Sequence, residues 1–112
     1  MTTPRSNAAQ TLGDIAPKLV DLTENVLFGD VWERPGLSKR DRSLVTVAAL
    51  VALYRTEQLG LHLQRALDNG VTQDELIEEI THLAFYAGWP CAITAATTAK
   101  GVFAERDGRT GP

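Results

Sequence analysis

The stretch LVTVAALVALY, Leu44–Tyr54, is apolar throughout except for Thr46. It is too long and too rich in Ala and Leu for a typical strand, and well short of the roughly 20 apolar residues needed to cross a bilayer. It therefore reads as a helix, apolar on every side once its first turn has passed. Such a helix has to be covered all round. In a chain of 112 residues, part of that cover is expected from a neighbouring subunit, which predicts a homo-oligomer. Just upstream, FGDVWERPGLSKRD (Phe28–Asp41) holds a Pro35-Gly36 turn, Ser38 as an N-cap and Asp41 near the positive helix end. The spacing predicts a helix from Lys39 to about Tyr54.

Working outward, Leu12, Ile15, Leu19, Leu22 and Val26 recur at steps of three and four and predict an amphipathic helix facing a core, ended near Gly29. Thr56 is placed to cap a helix whose stripe is Leu59, Leu63, Ala66 and Leu67, and Asn69-Gly70 supplies its left-handed stop. Thr72 and Glu75 stand in capping-box spacing ahead of Leu76, Ile80, Leu83 and Ala87. Gly88 and Pro90 interrupt that pattern, Pro90 suits a first helical turn, and the small-residue helix CAITAATTAKGVF follows. No strand pattern or repeat is present. The expected class is all-α with about five helices in one domain, residues 1–112, loose at 1–10 and 105–112.

Eleven basic against 14 acidic residues give a net charge of −3. That balance lacks the electrostatic footprint for nucleic acid or an anionic membrane surface. One cysteine, Cys91, allows no internal disulfide, and MTTPRSNAAQTLGD lacks the apolar centre of a signal peptide. Both point to the cytoplasm. Metal binding needs three or four converging ligands; two isolated histidines and a distant cysteine have no such spacing, so no metal is expected. Cys91 lacks a C-x-x-C partner and reads as a small buried residue.

TEQLGLHLQRAL (Thr56–Leu67) places Glu57 and His62 in an otherwise apolar helix. Histidine titrates near neutrality and Glu accepts a proton, so the two are candidates for acid/base work. They are five residues apart, about 140° round the helix, and are not stacked neighbours. A first-turn Glu also stabilises a helix end without any catalytic duty, and a lone His among leucines is often a core residue. His82 and Tyr86 lie one turn apart and could present two hydrogen-bonding groups to one pocket, or merely border the core. Arg34, Arg40 and Arg42 surround the Pro35-Gly36 turn. Arg suits a carboxylate with two parallel hydrogen bonds, although ion pairs with Asp30, Glu33 and Asp41 are the favoured reading for Arg40. Trp32 is a candidate pocket wall or interface anchor.

Together FGDVWERPGLSKRDRSLVTVAALVAL, TEQLGLHLQRALDNGVTQDEL and THLAFYAGWPCA resemble the carboxymuconolactone decarboxylase family, over roughly Leu22–Phe103. The resemblance implies an all-helical, alkylhydroperoxidase-like domain assembling as a trimer or hexamer. Alkylhydroperoxidase-like relatives carry C-x-x-C with a His four residues after the second cysteine. Registered on His62, the cysteine positions fall on Arg55 and Gln58, so a dithiol cycle at this site is excluded. The decarboxylase-like branch then implies loss of CO2 from 4-carboxymuconolactone, without a cofactor, in aromatic-compound catabolism. Glu57, His62 and His82 fall on the family's Glu and His positions. The expected catalytic residues are His62 and Glu57. Arg42, Arg34, Trp32, His82 and Tyr86 are the expected substrate contacts, with Phe85 and Trp89 as further apolar walls. The alternatives are a paralogue acting on another lactone or keto acid, and a non-catalytic oligomeric binding protein that has lost the thiols.

Overall fold

A computed structural model describes residues 6–110, with side chains for 6–108. All regular structure among these residues is helical, in two compact units that meet at Lys39–Arg40.

In the first unit, helices α1 (Ala8–Leu12) and α2 (Pro17–Asp21) are followed by a π-helical turn, Leu22–Leu27, and a 3-10 turn, Val31–Glu33. The single helix expected over Leu12–Val26 is therefore broken. Pro17 brings no backbone N–H and pushes Ala16 out of the helical region, to φ −138° and ψ 58°, so α2 has to start afresh. The π turn is visible as the bond from Phe28 N–H to the Thr23 carbonyl, 3.1 Å. None of these segments buries a residue. The expected core-facing stripe is solvent-accessible instead, with Ile15 76 % exposed.

The second unit holds four longer helices: α3 (Lys39–Ala52), α4 (Thr56–Asp68), α5 (Gln73–Ala87) and α6 (Trp89–Thr110). The total is thus six α-helices among the described residues rather than about five, because Pro17 divides the first. Leu59, Leu63 and Ala66 from α4 and Leu76, Ile80 and Ala84 from α5 share one core with Ala92, Ala95, Ala99 and Val102 of α6, the helix that packs against both. The alanines let the α6 backbone approach closely, as the small-residue pattern predicts. Helix α3 joins this core by one stripe, Ser43, Val47 and Val51, and Asn69 donates a 3.0 Å hydrogen bond to the Ser43 hydroxyl. Within one chain α3 is thus covered on one side only, leaving Val45 62 % and Leu53 64 % exposed.

The helix ends follow local chemistry. Thr72 and Glu75 form the expected capping box on α5. Gly70, at φ +99°, ends α4, with Val71 N–H bonded to the Ala66 carbonyl. The same closing pattern ends α3, Arg55 N–H to the Leu50 carbonyl at 2.8 Å, but there the left-handed residue is Tyr54, φ +58°. The expected Thr56 cap is absent: Thr56 is the first helical residue, and Arg55 before it makes no side-chain cap bond. The expected loose ends are corrected as well. Residues Ala8–Leu12 are helical, and α6 continues through 105–110, held where Arg106 pairs with Asp68 and Gln73 bonds Asp107. The remaining end residues, 1–5 and 111–112, lie outside the described residues. No helix among the described residues is long and apolar enough to cross a membrane.

Candidate active site

Two separate concavities of the second unit hold some of the residues of interest. The smaller, about 240 Å³, sits at the start of α4 and is lined by Tyr54, Arg55, Thr56, Glu57 and Gln58. Because the first N–H groups of α4 have no side-chain cap, the Glu57 carboxylate in the first turn complements the positive helix end. Tyr54 owes its place here to its left-handed backbone, and its hydroxyl lies 3.4 Å from that of Thr94.

His62 follows one turn later, on the flank of the Leu59–Leu63–Ala66 stripe, half-buried and lining neither concavity. Burial, and secondarily the Arg65 charge, pushes its pKa below the ordinary 6.5. At neutral pH it is a neutral imidazole, able to donate one hydrogen bond and accept another. The helix sets Glu57 about 140° away, and no hydrogen bond joins the two. Within one chain the two side chains are therefore not brought together.

The larger concavity, about 460 Å³, lies between α3 and α5 and is lined by Arg40, Leu44, Glu75, Glu78, Glu79 and His82. Arg40, expected to pair with acids near its own turn, does lie 3.6 Å from Asp41, but its main partner is Glu75 across the helices. Glu33 pairs instead with Lys39 at 2.7 Å. Glu75 also accepts the Thr72 backbone N–H at 3.0 Å. That bond first, and Arg40 next, holds its carboxyl below the usual Glu range. Glu79 stands one turn further along in the opposite environment. It is half-buried, its Oε1 is out of solvent with no hydrogen-bond partner, and burial pushes its pKa up to about 7. Sequence reasoning missed this residue. The available signal was its position three before His82 and flanked by the core residues Leu76 and Ile80, which puts it on the margin between core and surface.

The other candidates are distributed as follows. His82 lines the larger concavity, its ring tilted 31° against that of Tyr86 with centroids 4.9 Å apart. Tyr86 does not line it and is 79 % exposed. Arg42 is half-buried in the first turn of α3, where its carbonyl accepts the Thr46 hydroxyl at 2.8 Å. Arg34 and Trp32 belong to the first unit, Arg34 exposed and Trp32 half-buried with its ring 6.2 Å from Phe28. Phe85 and Trp89 meet edge to face at 5.1 Å, yet Phe85 is 73 % exposed and neither aromatic lines either of these two concavities. Cys91 is half-buried.

Comparison with known proteins places these residues in a family context. Residues 17–101 match the carboxymuconolactone decarboxylase family. The chain is 40 % identical over 100 residues to the 4-carboxymuconolactone decarboxylase of Acinetobacter baylyi, covering 89 % of this chain and 75 % of that protein. It is 43 % identical over 68 residues to a nitrosuccinic acid decarboxylase of Metarhizium robertsii, covering 61 % of this chain and 48 % of that protein. An uncharacterized 15.0 kDa protein of Paracoccus denitrificans is 32 % identical over 82 residues, which are 71 % of this chain and 61 % of that one.

Proposed function

We propose that this chain, which belongs to the carboxymuconolactone decarboxylase family, is a cofactor-independent carboxy-lyase acting on 4-carboxymuconolactone or a related small carboxylated lactone. Its two named relatives are both decarboxylases, of different substrates. The observation that carries the reading is the state of His62: half-buried, neither sealed in the core nor free in solvent, and biased to the neutral imidazole.

The chemistry follows from the substrate class. When the C–CO2⁻ bond breaks, its electron pair passes into the conjugated lactone and reaches the carbonyl oxygen, so the substrate is its own electron sink. A neutral imidazole N–H aimed at that oxygen stabilises the developing enolate. One proton must then be added to a carbon of the delocalised anion. His62 is the oxyanion partner in this scheme. Because burial disfavours its cation, it is poorly suited at neutral pH to the alternative role of proton donor. Glu57 orients His62 across a subunit boundary, since their own helix turns them apart. Arg42 is the anchor for a substrate carboxylate, and His82 and Tyr86 complete the contacts that the second unit supplies.

The exposed apolar residues support self-association as a trimer or hexamer: Val45 on α3 and Leu53 in the turn after it, and Phe85, Trp89 and Ile93 at the α5–α6 corner. Light scattering on a sizing column tests that. A cytoplasmic setting in aromatic-compound catabolism fits the substrate.

The function itself is tested by mixing the purified protein with 4-carboxymuconolactone and measuring released CO2. Turnover by the wild type, lowered about 100-fold in His62→Ala, is the expected result. An undiminished rate in the variant removes His62 from the mechanism. The similarity to a nitrosuccinic acid decarboxylase favours one second reading, a paralogue acting on another small carboxylated compound. CO2 release from nitrosuccinate but not from the lactone would establish it. Release from neither leaves the non-catalytic binding protein.

A further inference from the structure

The decarboxylation above requires an acid, and the buried His62 imidazole is a poor one at neutral pH. The α3/α5 concavity offers a better candidate. Its polar side chains are Arg40 from α3 and Glu75, Glu78, Glu79 and His82 from α5; neither α4 nor α6 lines it. Arg40 and Glu75 are committed to each other, and Glu75 to the α5 cap as well. Glu78 is exposed. Glu79 alone among these carboxyls has an oxygen that is out of solvent and without a hydrogen-bond partner. No neighbouring cation is engaged with it, so nothing in the concavity favours its ionised form over its acid form.

We propose, on the premise that the chain is a decarboxylase whose His62 reaches the substrate from a neighbouring copy, that Glu79 is a catalytic acid: from the concavity it shares with His82, its carboxylic acid delivers the proton that the substrate gains in exchange for CO2. The C–CO2⁻ bond breaks, CO2 leaves, and the electron pair left on the substrate takes the Glu79 proton as a new C–H bond. Glu79 is left as carboxylate and regains a proton from solvent. His82, three residues on and at the open side of the same concavity, is the group that passes it. The sum is R–CO2⁻ plus H⁺ giving R–H plus CO2, with no oxidant or reductant. Burial raises the affinity of Glu79 for its proton so that the acid form persists near pH 7. An incoming substrate carboxylate strengthens that hold through like-charge repulsion, and a carboxylic acid kept neutral in this way is a competent donor.

The test compares wild type, Glu79→Gln and Glu79→Asp over a pH series, with CO2 release from 4-carboxymuconolactone and from nitrosuccinate as readout. Gln keeps size and polarity but has no acid proton. The expected result is a fall in kcat of at least about tenfold with KM little changed, partial recovery in Glu79→Asp, and loss in Glu79→Gln of the wild-type decline in kcat above neutrality. A Glu79→Gln profile superimposable on the wild type overturns the proposal and leaves the decarboxylase reading intact. Absence of CO2 release by the wild type from both substrates defeats the decarboxylase reading and the acid role with it. Titration of ¹³C-labelled glutamate carboxyls by NMR gives an independent readout that a structural role in turnover would not move. One resonance, missing in Glu79→Gln, is expected to titrate near neutrality, and a midpoint for it in the ordinary Glu range overturns the proposal even if the variant is slow.

Discussion

Helices α4 and α5 each carry one glutamate and one histidine of interest, and the two pairs are opposite in construction. On α4, Glu57 and His62 are five residues apart, on different faces, with the histidine half-buried and the glutamate exposed. On α5, Glu79 and His82 are three apart, line one concavity, and it is the glutamate that is half-buried. The residue types are the same, so spacing and burial make the difference. Spacing decides whether two groups can act on one proton. Burial decides which member is held neutral: the imidazole on α4, the carboxylic acid on α5. The α4 pair is thus equipped to supply a hydrogen bond and the α5 pair to supply a proton.

The sharpest way to break this comparison is to remove each histidine in turn. His62→Ala deletes the group assigned to the developing oxyanion and is expected to lower kcat about 100-fold. His82→Ala deletes a substrate contact that also returns a proton to Glu79, a task that water can take over, and is expected to cost less than about tenfold. Measured kcat values in the reverse order would move the oxyanion role to α5.

Next in size is Glu57→Gln. If Glu57 orients a neighbouring copy's His62, losing one charge-assisted hydrogen bond of about 1.4 kcal/mol lowers turnover about tenfold. Mixing Glu57→Gln with His62→Ala under conditions that exchange subunits is then expected to restore part of the activity, because some interfaces carry both native groups. A mixture no more active than the average of its parents would place Glu57 outside the mechanism, with only its helix-end role on α4 left.

Much of this was legible in the sequence because it depends on local chemistry. The capping box at Thr72 and Glu75, the left-handed Gly70, and the alanine seam of α6 are each written in a few neighbouring residues. The failures are equally specific. The apolar period through Leu12–Val26 masked Pro17, whose missing N–H outweighs any periodicity. Helix α6 runs past the expected end because Asp68 and Gln73, more than 30 residues away in sequence, hold Arg106 and Asp107. Tyr54 takes a left-handed position where glycine is usual, and no composition rule flags it. Among the candidate residues, Glu57, His62 and His82 were singled out by residue type, whereas Glu79 was not. Nothing in the residue type distinguishes Glu79 from Glu75 or Glu78; what sets it apart is that α5 turns its Oε1 out of solvent while Arg40 takes Glu75.

The smallest effect is thermodynamic, and it separates the two half-buried groups by sign. The pKa of Glu79 rises from its ordinary 4.5 to about 7 on folding. Its contribution to stability is therefore fully present below about pH 4.5 and is lost as pH rises through about 7. Face-value conversion would overstate the size, because a half-exposed carboxyl is screened by water, and about 1 kcal/mol is expected. Glu79→Gln, neutral at every pH, should match the wild type at pH 4 and exceed it at pH 8 by that amount in urea unfolding. His62 runs the other way. Its pKa is lowered on folding, so its contribution is present above the unfolded value of 6.5 and is lost as pH falls, and His62→Gln should flatten the acid side of the wild-type curve. The two contributions therefore oppose each other across the acid range, Glu79 favouring lower pH and His62 higher. The proposed mechanism requires both groups uncharged, a neutral imidazole for the oxyanion and a neutral carboxylic acid for carbon. An unchanged acid limb in His62→Gln would show that burial does not hold that imidazole neutral.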